Sequence, residues 1–125
     1  MVVKIVDASA LAALLFGEPE ADAIATQLQD AELVGPALLP FEIANICLTK
    51  MRRHPRARDD LLAAFTLLDR MAIRTIEVDH LEVLALAERS GLTAYDASYL
   101  WLARRLGADL TTLDRQLAAA ATGAA

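Results

Sequence analysis

The run "VVKIV" at residues 2–6 passes straight into "DASALAALLFG", and no other feature of the chain restricts its fold as much. Four of those five strand residues are β-branched, which suits a strand buried on both faces. A helical stretch follows without a linker and is closed by Gly17. The alternation then recurs. "EPEADAIATQLQD" (18–30) reads as a helix with Pro19 near its first turn, and "ELVGP" (32–36) as a weak strand ended by Gly35-Pro36. A helix is expected from Leu39 to Arg53, with Pro40 in its first turn and Pro55 beyond its end. "RARDDLLAAFTLLDRM" (56–71) has helical spacing, "IRTIEV" (73–78) has strand character, and "DHLEVLALAERSG" (79–91) is a helix stopped by Gly91. "TAYDASYLWLARRLG" is again helix, "ADLTTLD" (108–114) a strand, and "RQLAAAA" a short last helix. Strands separated by helices imply a parallel sheet with helices on both faces, a three-layer α/β/α architecture, here in one domain over residues 1–125. Along one edge of such a sheet lie the strand C-termini and the following helix N-termini, where ligands bind.

Composition removes several classes. No run reaches the ~18 uncharged apolar residues of a membrane span, so no membrane association is expected. Asp7 interrupts the apolar start and no basic segment precedes it, so this stretch reads as fold and not as a signal peptide. Cys47 is the only cysteine and His54 and His80 the only histidines, which leaves no disulfide and argues against zinc. A reduced cytoplasmic setting is the default. The net charge of −5 argues mildly against phosphate binding, but the basic residues are concentrated. Lys50, Arg52, Arg53, Arg56 and Arg58 fall within "KMRRHPRAR", nearly half of the 12 basic side chains. The run reads either as a grip for nucleic-acid phosphates or as the solvated end of a helix, where cations suit the dipole.

Four acids stand in apolar sequence: Asp7 in "KIVDASALAALL", Glu42 in "LPFEIANIC", Asp96 in "TAYDASYLW" and Asp114 in "DLTTLDRQL". Each has an ordinary explanation near a helix N-terminus, and Thr93 with Asp96 forms a T-x-x-D capping box. As a set they are harder to explain as caps. Asp7 and Asp114 close strands at the carboxyl edge, and Glu42 and Asp96 reach the same edge from the first turns of their helices. Four carboxylates in one pocket repel unless protonated or neutralised. A hard divalent cation resolves this, and an all-oxygen site points to Mg²⁺ or Mn²⁺. Ser9, Asn45 and Thr112 are placed to orient these acids, or equally serve as a helix hydroxyl, an exposed helix amide and a strand former. Tyr99 and Trp101 are expected in packing more than in base stacking.

The stretches "IVDASALAALLFGEPEA", "LLPFEIANICL" and "LTAYDASYLWLARRLGADLTTLDRQL" resemble the PIN-domain nucleases, most closely the VapC-type toxins of bacterial toxin–antitoxin pairs. The resemblance covers residues 2 to about 117, and its most specific part is "YDASYLWLARRLGADLTTLD". It implies that Asp7, Glu42, Asp96 and Asp114 are the catalytic, metal-holding cluster, with Ser9 and Thr112 as helpers. It further implies a Mg²⁺- or Mn²⁺-dependent endoribonuclease, a homodimer and inhibition by a cognate antitoxin protein. The chain departs from the pattern at "AAAATGAA", where many relatives continue into a short last strand. A metal held by such acids activates water, so no side-chain nucleophile is required. The rival reading is a non-catalytic PIN-fold module that binds RNA or protein. A receiver-like phosphoacceptor wants a lysine at the site, and a D-x-D phosphatase wants a second acid where Ser9 stands. Apolar positions in excess of what a monomer of this size covers also favour a homodimer, through the helices around 39–53 and 80–90.

Overall fold

The computed structural model describes residues 1–123. Its sheet has four parallel strands, β1 (Val2–Val6), β2 (Ala31–Pro36), β3 (Arg74–Ile76) and β4 (Asp109–Thr111), in the order β3-β2-β1-β4. Successive strand residues point to opposite faces. Ile5 and Val6 are nevertheless both fully buried, so helices cover both faces of the central strand. The helices are α1 (Ala8–Leu15), α2 (Ala21–Leu28), α3 (Leu39–Arg53), α4 (Arg58–Thr66), α5 (His80–Ser90), α6 (Ala94–Leu106) and α7 (Arg115–Thr122). The α/β/α expectation holds.

Helix ends sit where side chains can satisfy free backbone groups. Asp7 caps α1 by accepting from Ala10 N–H, Asp79 caps α5, Thr93 caps α6 and Asp114 caps α7. Helix α6 turns its apolar side onto β1 and β2 and buries Ala97, Tyr99, Leu100 and Leu102. Gly35, at the end of β2, approaches the first turn of α3 so closely that a Cβ there would lie 2.5 Å from Leu39 Cδ2. A side chain at 35 would have to displace the tip of the buried Leu39 side chain, which packs the start of α3 against the sheet.

Several boundaries differ from expectation. The helix expected over 56–71 is three pieces: a 3₁₀ turn at Pro55–Ala57, α4, and a second 3₁₀ segment at Leu67–Met71. None of these pieces contains a fully buried residue, so no packed face enforces one continuous period. The segment ends at Ala72 in the left-handed region, φ 52°. The helix expected over 18–30 is shorter, and Pro19 lies in the turn ahead of α2. The strand expected over 73–78 pairs only at 74–76, on the outer edge of β2. That expected over 108–114 ends at Thr111, because Thr112 and Asp114 spend their polar groups on side-chain bonds instead of a ladder.

Candidate active site

Strand β1 delivers Asp7 to the carboxyl edge of the sheet. Its backbone N–H donates to Thr111 O at 3.1 Å, which ties the ends of β1 and β4 together. The carboxylate is buried, 4% exposed, and fully engaged. Ser9 Oγ donates to Oδ1 at 2.7 Å, Ala10 N–H to the same oxygen at 3.0 Å, and Thr112 Oγ1 to Oδ2 at 2.5 Å. Thr112 in turn accepts from Asp114 N–H at 2.9 Å, and Ser9 Oγ accepts from Leu113 N–H at 3.0 Å. The two hydroxyls thereby lock the β4–α7 turn, with Asp114 on it, to Asp7. Asp114 caps α7 by accepting from Leu117 N–H at 2.8 Å. Thr112 does this from beyond the end of β4, not from the strand face expected for it.

Glu42 stands in the first turn of α3, where Tyr99 Oη donates to its Oε1 at 2.5 Å. Tyr99 is 1% exposed and comes from α6, so the pairing joins helices far apart in the chain. Its role at the acid was not legible as such, although its position three residues after Asp96 puts it on the adjoining helix face. Asp96 is half-buried, and its backbone N–H donates to Thr93 Oγ1 at 3.1 Å.

The acids influence one another. Burial pushes Asp7 above the usual carboxylate range, and its hydrogen bonds with Thr112, Ala10 and Ser9 only partly oppose this; the Asp114 charge adds to the rise. Burial also raises Glu42, against the Tyr99 hydrogen bond, with the charges of Asp96 and Asp7 adding to it. Asp96 is raised by burial and then by Asp114 and Asp7. Burial and the facing Glu42 keep the Tyr99 phenol protonated. The four acids are therefore near enough for their charges to act on one another, Asp7 on Glu42 and Asp96, Asp96 on Glu42, and Asp114 on Asp7 and Asp96. Among the described residues the ion pairs are Lys50–Glu18, Arg58–Asp59 and Arg74–Glu32, none of them on these acids. Also among the described residues, no three His, Cys, Asp or Glu side chains are grouped so as to hold a metal ion. The donor set still fits a hard divalent cation: all oxygen, anionic, mutually repelling and without a basic partner.

The remaining predicted residues lie elsewhere. Asn45 is exposed one turn beyond Glu42 and lines the same cavity as it. Lys50 is drawn to Glu18 at 2.7 Å and lies over the Phe16 ring, 5.6 Å from its centre. Arg58 pairs with Asp59 at 3.3 Å. Arg52 and Arg53 are exposed in the last turn of α3, and Arg56 is exposed in the 3₁₀ turn that follows. Trp101 is half-buried with Arg105 over its ring, as packing predicts.

Known proteins resemble the chain in sequence and in fold. The chain is 38% identical over 122 residues to Ribonuclease VapC3 of Pyrobaculum aerophilum, covering 91% of each protein. The crystal structure of PAE2754 from Pyrobaculum aerophilum superposes with a TM-score of 0.74 at 33% identity, over 99% of this chain and 90% of that one. The PIN domain profile matches residues 4–123, so this chain belongs to the PIN-domain family.

Proposed function

We propose that the chain is an endoribonuclease that hydrolyses RNA phosphodiester bonds with Mg²⁺ or Mn²⁺, and that it is the toxin of a toxin–antitoxin pair restrained by a cognate antitoxin protein. What supports this reading is that Asp7, Glu42, Asp96 and Asp114, from four separate elements, lie near enough for their charges to act on one another and stand outside the ion pairs found among the described residues. The likeness to a named ribonuclease supports it.

Asp7, Glu42, Asp96 and Asp114 would hold the cation, which when bound supplies the Lewis acidity that phosphodiester hydrolysis needs at neutral pH. Ser9 and Thr112 hold both Asp7 oxygens in place, so this carboxylate does not swing away when its charge is unpaired. Tyr99 does the same for Glu42. The free arginines Arg52, Arg53 and Arg56 grip RNA phosphates at a distance from the acids. A homodimer would cover Leu81 and Leu84 on α5, which are 77% and 60% exposed.

Asp96→Asn tests the assignment. The change preserves size and removes one negative charge from a repelling group. Without metal the variant should be at least as stable as the parent. The rise in melting temperature on adding Mn²⁺ should shrink, since it measures binding to the native state. RNA cleavage should fall by orders of magnitude. A variant that cleaves at the parental rate removes Asp96 from the site.

A further inference from the structure

Two of the chain's aromatic side chains stand nearly bare beside the acids: Phe41 is 80% exposed and Tyr95 66%. The other four are accounted for by packing. Phe16 and Phe65 lie against the core, Tyr99 is buried, and Trp101 is half-buried. Each exposed ring immediately precedes a candidate ligand, Phe41 before Glu42 on α3 and Tyr95 before Asp96 on α6. Helix neighbours diverge by about 100°. When the acid turns toward the sheet edge, the ring before it is therefore set on the flank of the site. Both rings line one shallow, solvent-open hollow of about 260 Å³, together with Leu38, Glu42 and Asn45.

The lining selects the occupant. The volume lies below the roughly 300–1,000 Å³ of pockets for drug-sized ligands, which suits a single flat ring system. The Glu42 carboxylate on the wall repels a phosphate but not a neutral base. Aromatic faces bind any base by stacking, and the Asn45 amide offers a donor and an acceptor to a base edge. We infer that Phe41 and Tyr95 grip an unstacked base of single-stranded RNA beside the scissile phosphate, with Asn45 meeting its edge. This rests on the ribonuclease reading above and adds the residues that hold a nucleotide's base beside the acids.

The test uses the full chain and short labelled single-stranded RNAs, each intact or carrying one abasic sugar at a chosen position. Binding is read in metal-free buffer, and cleavage of the same strands is read with Mn²⁺. An abasic sugar at the gripped position should weaken binding by the parent about tenfold or more. The double variant Phe41→Ala, Tyr95→Ala should bind intact and abasic strands alike, as weakly as the parent binds the abasic one. Tyr95→Phe, which keeps the ring, should retain the base dependence. The inference is overturned if the double variant still distinguishes intact from abasic RNA. It is also overturned if that variant's mass by light scattering drops from the parent's, because a second copy then covers this face. Cleavage without any base-dependent binding removes the base grip and leaves the nuclease reading. Base-dependent binding without cleavage does the reverse, and a parent that neither binds nor cleaves removes both.

Discussion

At the scale of single residues the site is a contest between burial and hydrogen bonding. Asp7 receives three donors and still has a raised pKa, so desolvation and a neighbouring charge outweigh them. The sign of the pH effect follows. An acid whose pKa is raised on folding adds stability below its ordinary value, 3.8 for Asp7 and Asp96 and 4.5 for Glu42, and loses that contribution as pH rises through the folded value. The metal-free protein should therefore lose melting temperature as pH climbs from 4.5 toward neutrality. Asp96→Asn should lose less over the same interval. Thermal scans in chelator across this range check it, and parallel curves for the two proteins would show that Asp96 does not feel its neighbours. That the four acids stand at helix starts was legible from their apolar settings and the cap signals around them. The tyrosine that holds Glu42 was not, because 57 residues separate the partners and no local spacing encodes that pairing.

At the scale of elements, α3 is the part that carries the site furthest. Its first turn holds Glu42, and its last turn, about 15 Å along the axis, holds Arg52 and Arg53. The helix is anchored where Leu39, 1% exposed, packs against Gly35. Gly35→Ala places a methyl group 2.5 Å from Leu39 Cδ2 and forces a buried side chain to move. It should cost about 1–3 kcal/mol of stability, the usual penalty of overpacking. RNA cleavage should fall as well, since Leu39 positions the turn that carries Glu42. Chemical denaturation beside a cleavage assay measures both, and an unchanged midpoint would mean that Leu39 repacks freely. Most elements were legible because capping residues and apolar periods are local signals. The break at 55–72 was not, because it depends on how little of that segment the rest of the molecule covers.

At the scale of the whole molecule, an acidic chain has to attract a polyanion. In the basic run Lys50 and Arg58 face Glu18 and Asp59, while Arg52, Arg53 and Arg56 are exposed and outside the ion pairs found among the described residues. Reversing the charge at Arg52 and Arg53 together should weaken RNA binding. The salt slope should become shallower by about 0.7 for each phosphate of a single strand that the protein no longer neutralises. Stability should hardly change, because exposed charges contribute little. Titrations at several salt concentrations decide this, and an unaltered slope would return the run to plain surface. The other prediction at this scale is the homodimer through α5. Light scattering at micromolar concentration should give twice the 13.5 kDa chain mass, and Leu81→Glu with Leu84→Glu should halve it. A parent that stays monomeric refutes the interface. Among the described residues no helix is long and apolar enough to cross a membrane.

The sequence by itself determined the class of the fold and which acids leave the sheet at its carboxyl edge. Both follow from signals within a few residues: β-branched runs, a 3.6-residue period, and caps at helix starts. Tertiary structure alone decided how those acids are held and what flanks them. Thr112 reaches back 105 residues to Asp7, Tyr99 reaches 57 to Glu42, and Phe41 and Tyr95 meet at one cavity from two different helices. Such pairings arise only when the sheet brings distant segments together, because a hydrogen bond or a shared cavity depends on distance in space and not along the chain.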